Sequence, residues 1–212
     1  MEAPAARIRL GSCSLHVVGT IAGFVPDATR VRAAFESAPE AVALGVPQED
    51  LAALEALWKE PATTQELVEP DVASEHLLKL LARFGATRIP SPDLETAYAL
   101  AKEANIPVLA LDLDDIQHAS LYTQRVKVRH LWWAPRREKR LLRKTFDEAG
   151  DPYDLAITWD RETNASKPIR ELEAMREEHM AKRIREASAT CQRLLAIVPA
   201  PRFAGIMARL EK

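Results

Sequence analysis

The sequence predicts an α/β fold, with α+β as the alternative, built on a mixed, largely parallel central sheet flanked by helices. Short apolar runs, typical of strands buried on both faces, alternate with stretches of helical spacing. The hydrophobic fraction of 47% and the charged fraction of 28% are ordinary for a globular chain. A length of 212 residues suits one hydrophobic core. We therefore predict a single domain over residues 1–212, with a helical insertion or arm around residues 118–149.

The first part of the chain predicts a hairpin followed by a strand–helix–strand unit. Two β-rich runs flank a turn that contains Gly11 and Ser12, which indicates a hairpin. A helix should begin at Pro26, with Asp27 in place to cap it. The continuous apolar run at residues 41–46 then predicts a buried strand. We expect the two strands around this helix to pair in parallel.

The rest of the chain predicts helices interrupted by two more buried strands. Pro135 should break the helical arm, because proline removes a backbone donor and clashes with the preceding turn. Residues 150–168 hold glycine, asparagine and two prolines, and predict a loop. The other expected elements are helices within residues 47–105, a strand at 106–111, a helix at 168–189, a strand at 194–198 and a short helix at 203–210.

Cysteine use and hydropathy bear on the compartment of the protein. Cys13 and Cys191 lie far apart in the sequence and show no metal-type spacing, which favours a reducing compartment. The first ten residues lack a basic region followed by an apolar run, and no stretch approaches the roughly 20 apolar residues that span a bilayer. We expect a cytoplasmic protein with no membrane partner.

The segment at residues 124–144 is strongly basic. It carries nine Lys and Arg against one acid, Glu138, in a chain whose formal net charge is -2. A nucleic-acid or protein adaptor is one interpretation, but such runs more often form a solvated helix face, so nucleic acid is disfavoured as a partner. Apolar residues between Leu131 and Leu142 on the same arm predict a homo-oligomer.

Three stretches carry a resemblance to a known family. They are HVVGTIAGFVPD at 16–27 with EAVALGV at 40–46, MREEHMAKRI at 175–184, and the strand and helix at 194–210. In these stretches the chain resembles the TraB/PrgY/GumN (Tiki) family, while its helical middle matches only loosely. The resemblance implies an α/β fold. In active members it also implies a metal-dependent hydrolase or protease site with two Gly-x-x-His motifs and a strand-end glutamate.

The chain departs from the family pattern at the three positions where metal donors are expected. Ala22 stands at the first histidine position, Gly45 at the glutamate position and Arg202 at the second histidine position. A catalytic metal needs about three protein donors and an open position. The resemblance therefore implies a non-catalytic relative, a pseudoenzyme with no metal and no cofactor.

The residues that remain predict a cleft with a different ligand preference. Gly19, Thr20 and Arg176 match the family pattern. Arg176 and Arg202 could hold a carboxylate or phosphate in a bidentate manner, while structural ion pairs are the competing interpretation. We therefore expect a small anionic ligand or a protein partner.

Two aspartates offer an enzymatic alternative. Asp112 and Asp114 follow the apolar strand at 106–111, and carboxylates at the end of a strand are common Mg²⁺ ligands. A divalent-metal-dependent hydrolase of the protease or phosphatase type would use both. Capping of the next helix is the favoured interpretation, because it needs no additional residues. Four residues are expected near the C-terminal ends of neighbouring strands, namely Thr20, Gly45, Asp112 and Arg202.

Overall fold

The computed structural model describes residues 3–60, 71–127 and 134–212, and these form a mixed α/β fold. One sheet holds the five strands of these ranges in the order β1-β2-β5-β3-β4. The strands are β1 (Ala5–Leu10), β2 (Cys13–Thr20), β3 (Ala41–Leu44), β4 (Val108–Ala110) and β5 (Arg193–Pro199). All neighbouring pairs are parallel except β1 and β2, which form the predicted antiparallel hairpin.

Helices cover both faces of the sheet. In the same described ranges they are α1 (Pro26–Phe35), α2 (Gln48–Lys59), α3 (Val72–Leu81), α4 (Pro92–Glu103), α5 (Asp115–Arg125), α6 (Ala134–Leu141), α7 (Pro152–Thr163), α8 (Lys167–Ser188) and α9 (Ala200–Leu210). Met180 and Ile184 of α8 pack with Ile206 of α9 in one buried cluster. On the other face, α1, α2 and α4 form a second cluster with β3 and β5. The sheet is thus buried between two helical layers.

Strand β5 lies in the middle of the sheet although it comes last in the chain. Its residues 194–198 are all buried, and it pairs with β2 through Leu195 opposite His16 and with β3 through Leu195 opposite Val42. The expected parallel pairing of β2 with β3 is therefore wrong, because β5 lies between them. Apolar burial on both faces suits β5 to this central place.

The prediction of a loop at residues 150–168 is also wrong, since most of this stretch forms helix α7. Asp151 caps the helix by accepting hydrogen bonds from the backbone N–H groups of Tyr153 and Asp154, both at 2.9 Å. Pro152 occupies the first turn, where a missing N–H costs nothing. Tyr153 and Trp159 are buried against the neighbouring helices, so tertiary packing holds this helix.

The stretch predicted to form a helical insertion or arm, around residues 118–149, contains most of α5 and all of α6. Leu141 and Phe146 are buried within the chain and pack in the cluster that contains α7, with Leu142 against it. Residues 131–133, which contributed to the expected oligomer, lie outside the described residues. Self-association therefore stays a prediction with less apolar surface to support it. No helix in the described ranges is long and apolar enough to cross a bilayer.

Candidate functional site

The four residues expected at neighbouring strand ends do lie along one edge of the sheet. Thr20 ends β2 and pairs with Pro199 at the end of β5. The backbone N–H of Gly45, which follows β3, donates to the Ile197 carbonyl at 2.7 Å. Asp112 follows β4, and Arg202 lies in the first turn of α9 directly after β5. In an open α/β sheet this C-terminal edge is where ligands bind.

Gly45 has no room for a side chain. A Cβ atom there would lie 2.6 Å from Cδ of Pro199 and 3.1 Å from Cα of Val198. Both contacts belong to the end of β5, which cannot move without disturbing the centre of the sheet. At the position that the resemblance aligns with a glutamate, Pro199 and Val198 thus occupy the space that a side chain would need.

Arg202 is buried in a group of carboxylates. Its side chain is 10% exposed and donates to Asp160 of α7, while its Nε lies 3.1 Å from Oε2 of Glu173. The Glu177 carboxylate lies 3.7 Å away, and Arg209 reaches the same carboxylate at 2.8 Å. Burial raises the pKa of Asp160 and of Glu177. Arg202 opposes the rise at Asp160, and Arg209 followed by Arg202 opposes it at Glu177, by stabilising the charged forms.

Arg176 is also occupied by carboxylates of the chain. It binds both oxygens of Asp112, with Nε at 3.2 Å from one of them, and its remaining nitrogen contacts Glu173 at 2.9 Å. Burial lowers the pKa of Arg176, but Asp112 and Glu173 outweigh it and the net shift is upward. Because both cleft arginines are already neutralised, they lend no support to the anionic ligand, which stays a prediction.

The two aspartates of the enzymatic alternative have separate local roles. Asp114 accepts a hydrogen bond from the Gln117 backbone N–H at 2.7 Å and so caps α5, as the capping interpretation predicts. Asp112 accepts from the Leu113 N–H at 2.8 Å in addition to binding Arg176. Among the residues that the structure describes, no group of three or more His, Cys, Asp and Glu side chains could hold a metal ion.

A buried polar network at the end of β2 was not predicted from the sequence. Asp27 is fully buried and accepts hydrogen bonds from the Ile21 backbone N–H at 2.7 Å, from Arg30 at 2.8 Å and from the Tyr153 hydroxyl. Arg30 also donates to the Gly19 carbonyl at 2.7 Å. Burial and the bond to Asp27 raise the pKa of Tyr153, which keeps this hydroxyl a donor.

The role expected for Asp27 as a helix cap is therefore wrong. It lies inside α1, whose preceding residue Val25 makes no side-chain cap. Its carboxylate instead joins the β2–α1 connection to α7. Gly19 allows Pro4, whose carbonyl also accepts from Arg30, to pack closely, because a Cβ atom at Gly19 would lie 2.8 Å from Cγ of Pro4.

A second buried carboxylate, Asp93, lies near this network. It is 1% exposed and accepts a hydrogen bond from Ser91 at 2.6 Å, and Thr20 also hydrogen-bonds to it. Ser91 in turn accepts from the Gly23 backbone N–H at 2.8 Å. Burial raises the pKa of Asp93, and the negative charge of Asp27 adds to this rise, although the hydroxyl contacts oppose it.

The raised pKa of Asp93 predicts a pH-dependent stability. A carboxyl whose folded pKa lies above its unfolded value binds protons more tightly when folded, so stability falls as pH rises from about 4 through the folded pKa. Asp93→Asn resembles the protonated acid and should lose this contribution. Urea unfolding over a pH series is expected to show a smaller fall for the variant. Parallel pH profiles for the two proteins would contradict the assignment.

A cavity of about 510 Å³ opens beside these groups, between α2, α3 and α4. Ala22 and Gly23, at the end of β2, form one wall of it, and Ser91 lies at the same wall. The remaining walls are largely apolar side chains of the three helices, among them Ala53, Leu54, Leu57, Leu77, Leu78 and Leu94. The volume lies within the range of small-molecule sites. The sequence pattern did not predict this cavity, because it depends on how three helices pack.

The few charged groups at the cavity are acidic. Asp71 accepts from Ser74 at 2.9 Å as the cap of α3, whereas Asp50 of α2 makes no hydrogen bond or ion pair with any described residue. Burial raises the pKa of Asp50, and Asp115 and Glu49 add to the effect. Since no Lys or Arg of the described chain lines this cavity, it favours a neutral or cationic ligand over an anion.

No family model matches this chain, and no curated protein matches it at a significant level.

Proposed function

We propose that this protein is a non-catalytic, TraB-like binding domain that holds a small, largely apolar molecule in the cavity between α2, α3 and α4. The observation that carries the proposal is the cavity itself, about 510 Å³ with mainly apolar walls beside the C-terminal edge of the sheet. Ala22, at the first histidine position of the family pattern, lines it. A binding site beside the positions that the resemblance aligns with metal ligands is consistent with a domain that keeps the cleft but does not carry out metal-dependent hydrolysis.

The polar groups of the cavity define the ligand further. Asp50 lines the cavity, is exposed to solvent and has no hydrogen-bond or ion-pair partner among the described residues, while Ser91 lines the wall that contains Gly23. A ligand with an apolar body and one hydrogen-bond donor or positive group would satisfy Asp50 while displacing water from the leucines. This ligand class replaces the small anion that the cleft arginines suggested.

The hydrolase alternative has weaker support. Asp112 would have to leave Arg176, and Asp114 would have to give up the cap of α5, before either could bind a divalent cation. Breaking such a buried ion pair leaves an uncompensated charge and is costly. We therefore place the function in binding at the cavity and not in metal-dependent hydrolysis.

Filling the cavity should weaken binding strongly without unfolding the protein. Ala53 lines the cavity, so Ala53→Phe would place an aromatic ring in it. Nile red, an uncharged dye whose fluorescence rises in apolar sites, is expected to bind the wild-type protein with one-to-one stoichiometry. We expect the variant to bind it at least about tenfold more weakly, equivalent to roughly 1.4 kcal/mol.

Ala52→Phe is the matched control. Ala52 is exposed on the same helix and does not line the cavity, so its replacement adds the same ring outside the site. Dye binding should equal that of the wild type. Equal dye binding by all three proteins would count against the cavity as the site.

A further inference from the structure

A second concave surface, of about 680 Å³, lies between α6, the residues that follow it and α7. We call it the basic groove. It is lined by Arg136, Lys139, Arg140, Arg143, Lys144 and Glu162, and by two apolar residues. It shares no lining residue with the cavity between α2, α3 and α4.

Positive side chains outnumber negative ones among the described residues that line the basic groove. Five Lys and Arg line it against one acid, Glu162, whose carboxylate is paired with Lys144 at 2.7 Å. Within the described part of the chain, the side chains of Lys139, Arg140 and Arg143 make no hydrogen bond or ion pair. Like charges held close together repel one another and so destabilise the folded protein. A bound anion would reduce this repulsion.

The charge of the groove is a local property and does not follow from overall composition. The whole chain has a formal net charge of -2. An anion approaching this surface is attracted to it, because five Lys and Arg line it against one acid. By contrast, Arg176 and Arg202 at the sheet edge are each bound by carboxylates.

We propose that the basic groove binds a small molecule that carries two or more adjacent phosphate groups. The guanidinium groups of Arg140 and Arg143 offer paired donors that match phosphate oxygens, and Lys139 adds a point charge. The volume lies in the range of small-ligand sites. A single phosphate would use only part of this donor set, so adjacent phosphates should bind more tightly.

A nucleic-acid strand fits the groove less well than a compact polyphosphate. Strand binding combines an extended basic track with aromatic side chains on which bases stack. No aromatic side chain lines the groove among the described residues. Recognition by the described lining residues therefore rests on phosphate groups, and we expect a nucleobase to add little to it.

Calorimetric titration at about 0.15 M salt, where long-range surface attraction is screened, tests the proposal. The probes are sodium tripolyphosphate, orthophosphate and ATP. We expect tripolyphosphate to bind one to one and at least about tenfold more tightly than orthophosphate. ATP should bind within about threefold of tripolyphosphate, because its triphosphate carries the recognition. Binding of ATP at least about tenfold tighter would still support the phosphate site and would identify a nucleotide as the source.

Charge-neutral variants locate the binding site. Arg140→Gln and Arg143→Gln should each weaken tripolyphosphate binding by about tenfold, since each loses a charge-assisted hydrogen bond. Arg32→Gln, exposed on α1 and outside the groove, should leave it unchanged. Urea unfolding curves of the variants confirm that the fold is retained.

Three outcomes would overturn the proposal. One is tripolyphosphate affinity no greater than that for orthophosphate. Another is equal binding by the groove variants and the Arg32→Gln control. The third is binding of a 20-nucleotide single strand that tripolyphosphate does not compete away, which would assign the surface to nucleic acid.

Discussion

Arg202→Met is expected to destabilise the protein by about 3–5 kcal/mol at neutral pH, the cost of removing one partner from a buried ion pair. Methionine retains much of the side-chain volume but leaves Asp160, Glu173 and Glu177 without their shared cation. The free energy of unfolding from urea titration measures the effect. The difference from wild type should shrink as pH falls, because protonation removes the negative charges that Arg202 neutralises, chiefly that of Asp160, whereas Glu173 and Glu177 keep Arg176 and Arg209.

The control for this prediction is Arg161→Met on the same helix as Asp160. Arg161 is exposed, so its replacement should change stability by no more than about 0.5 kcal/mol. If Arg202→Met were as mild as this control, the buried cluster would not be held together by Arg202. A pH-independent loss would instead indicate a packing defect.

Asp27→Ala should have an effect of similar size, about 3–5 kcal/mol, because it removes the fully buried partner of Arg30 and leaves two further donors without their acceptor. The donors are the Ile21 backbone N–H and the Tyr153 hydroxyl. Tyr153→Phe removes only one partner of the network and should cost about 1–2 kcal/mol. Unfolding in urea again provides the measurement.

Glu36→Ala serves as the matched control for Asp27→Ala. Glu36 is an exposed acid directly after α1, so its loss should change stability by less than about 0.5 kcal/mol. The predicted ranking is Asp27→Ala well above Tyr153→Phe, and both above Glu36→Ala. Equal values for Asp27→Ala and Tyr153→Phe would mean that the carboxylate does not organise the network.

The strands could be predicted from the sequence because their signal is local. The apolar runs at residues 41–46 and 194–198 correspond to β3 and β5, which are buried on both faces. The order of strands could not be predicted in the same way. Nothing in the local pattern indicates that the last strand inserts between β2 and β3, since this depends on which helices cover each face.

At helix α7 the amino-acid composition predicted a loop, although the local sequence pattern correctly indicated a helix. Glycine, asparagine and two prolines in residues 150–168 suggested a loop. Asp151 followed by Pro152 is, however, a helix start, and Tyr153, Ala156 and Trp159 recur at helical spacing on the buried side. The cap and the spacing together were the better evidence.

The sequence predicted where the site residues lie in the fold, but it did not predict which side chains they contact. Gly45 and Arg202 lie at the strand ends, as the resemblance implied. The ion pair between Arg202 and Asp160 joins residues 42 positions apart, and the one between Arg176 and Asp112 spans 64. No sequence spacing indicates such contacts, whereas the pair of Arg176 with Glu173 follows helical spacing.

We propose that the strand-end positions do not support metal chemistry and that the domain acts by binding. Elemental analysis of the untagged protein, after incubation with Zn²⁺, Mn²⁺ or Co²⁺ and dialysis, tests this claim most directly. We predict far less than one equivalent of each metal, because Gly45 has no space for a donor, while Arg176 and Arg202 hold the nearby carboxylates. About one equivalent of bound metal that is lost in Asp112→Asn would contradict the account.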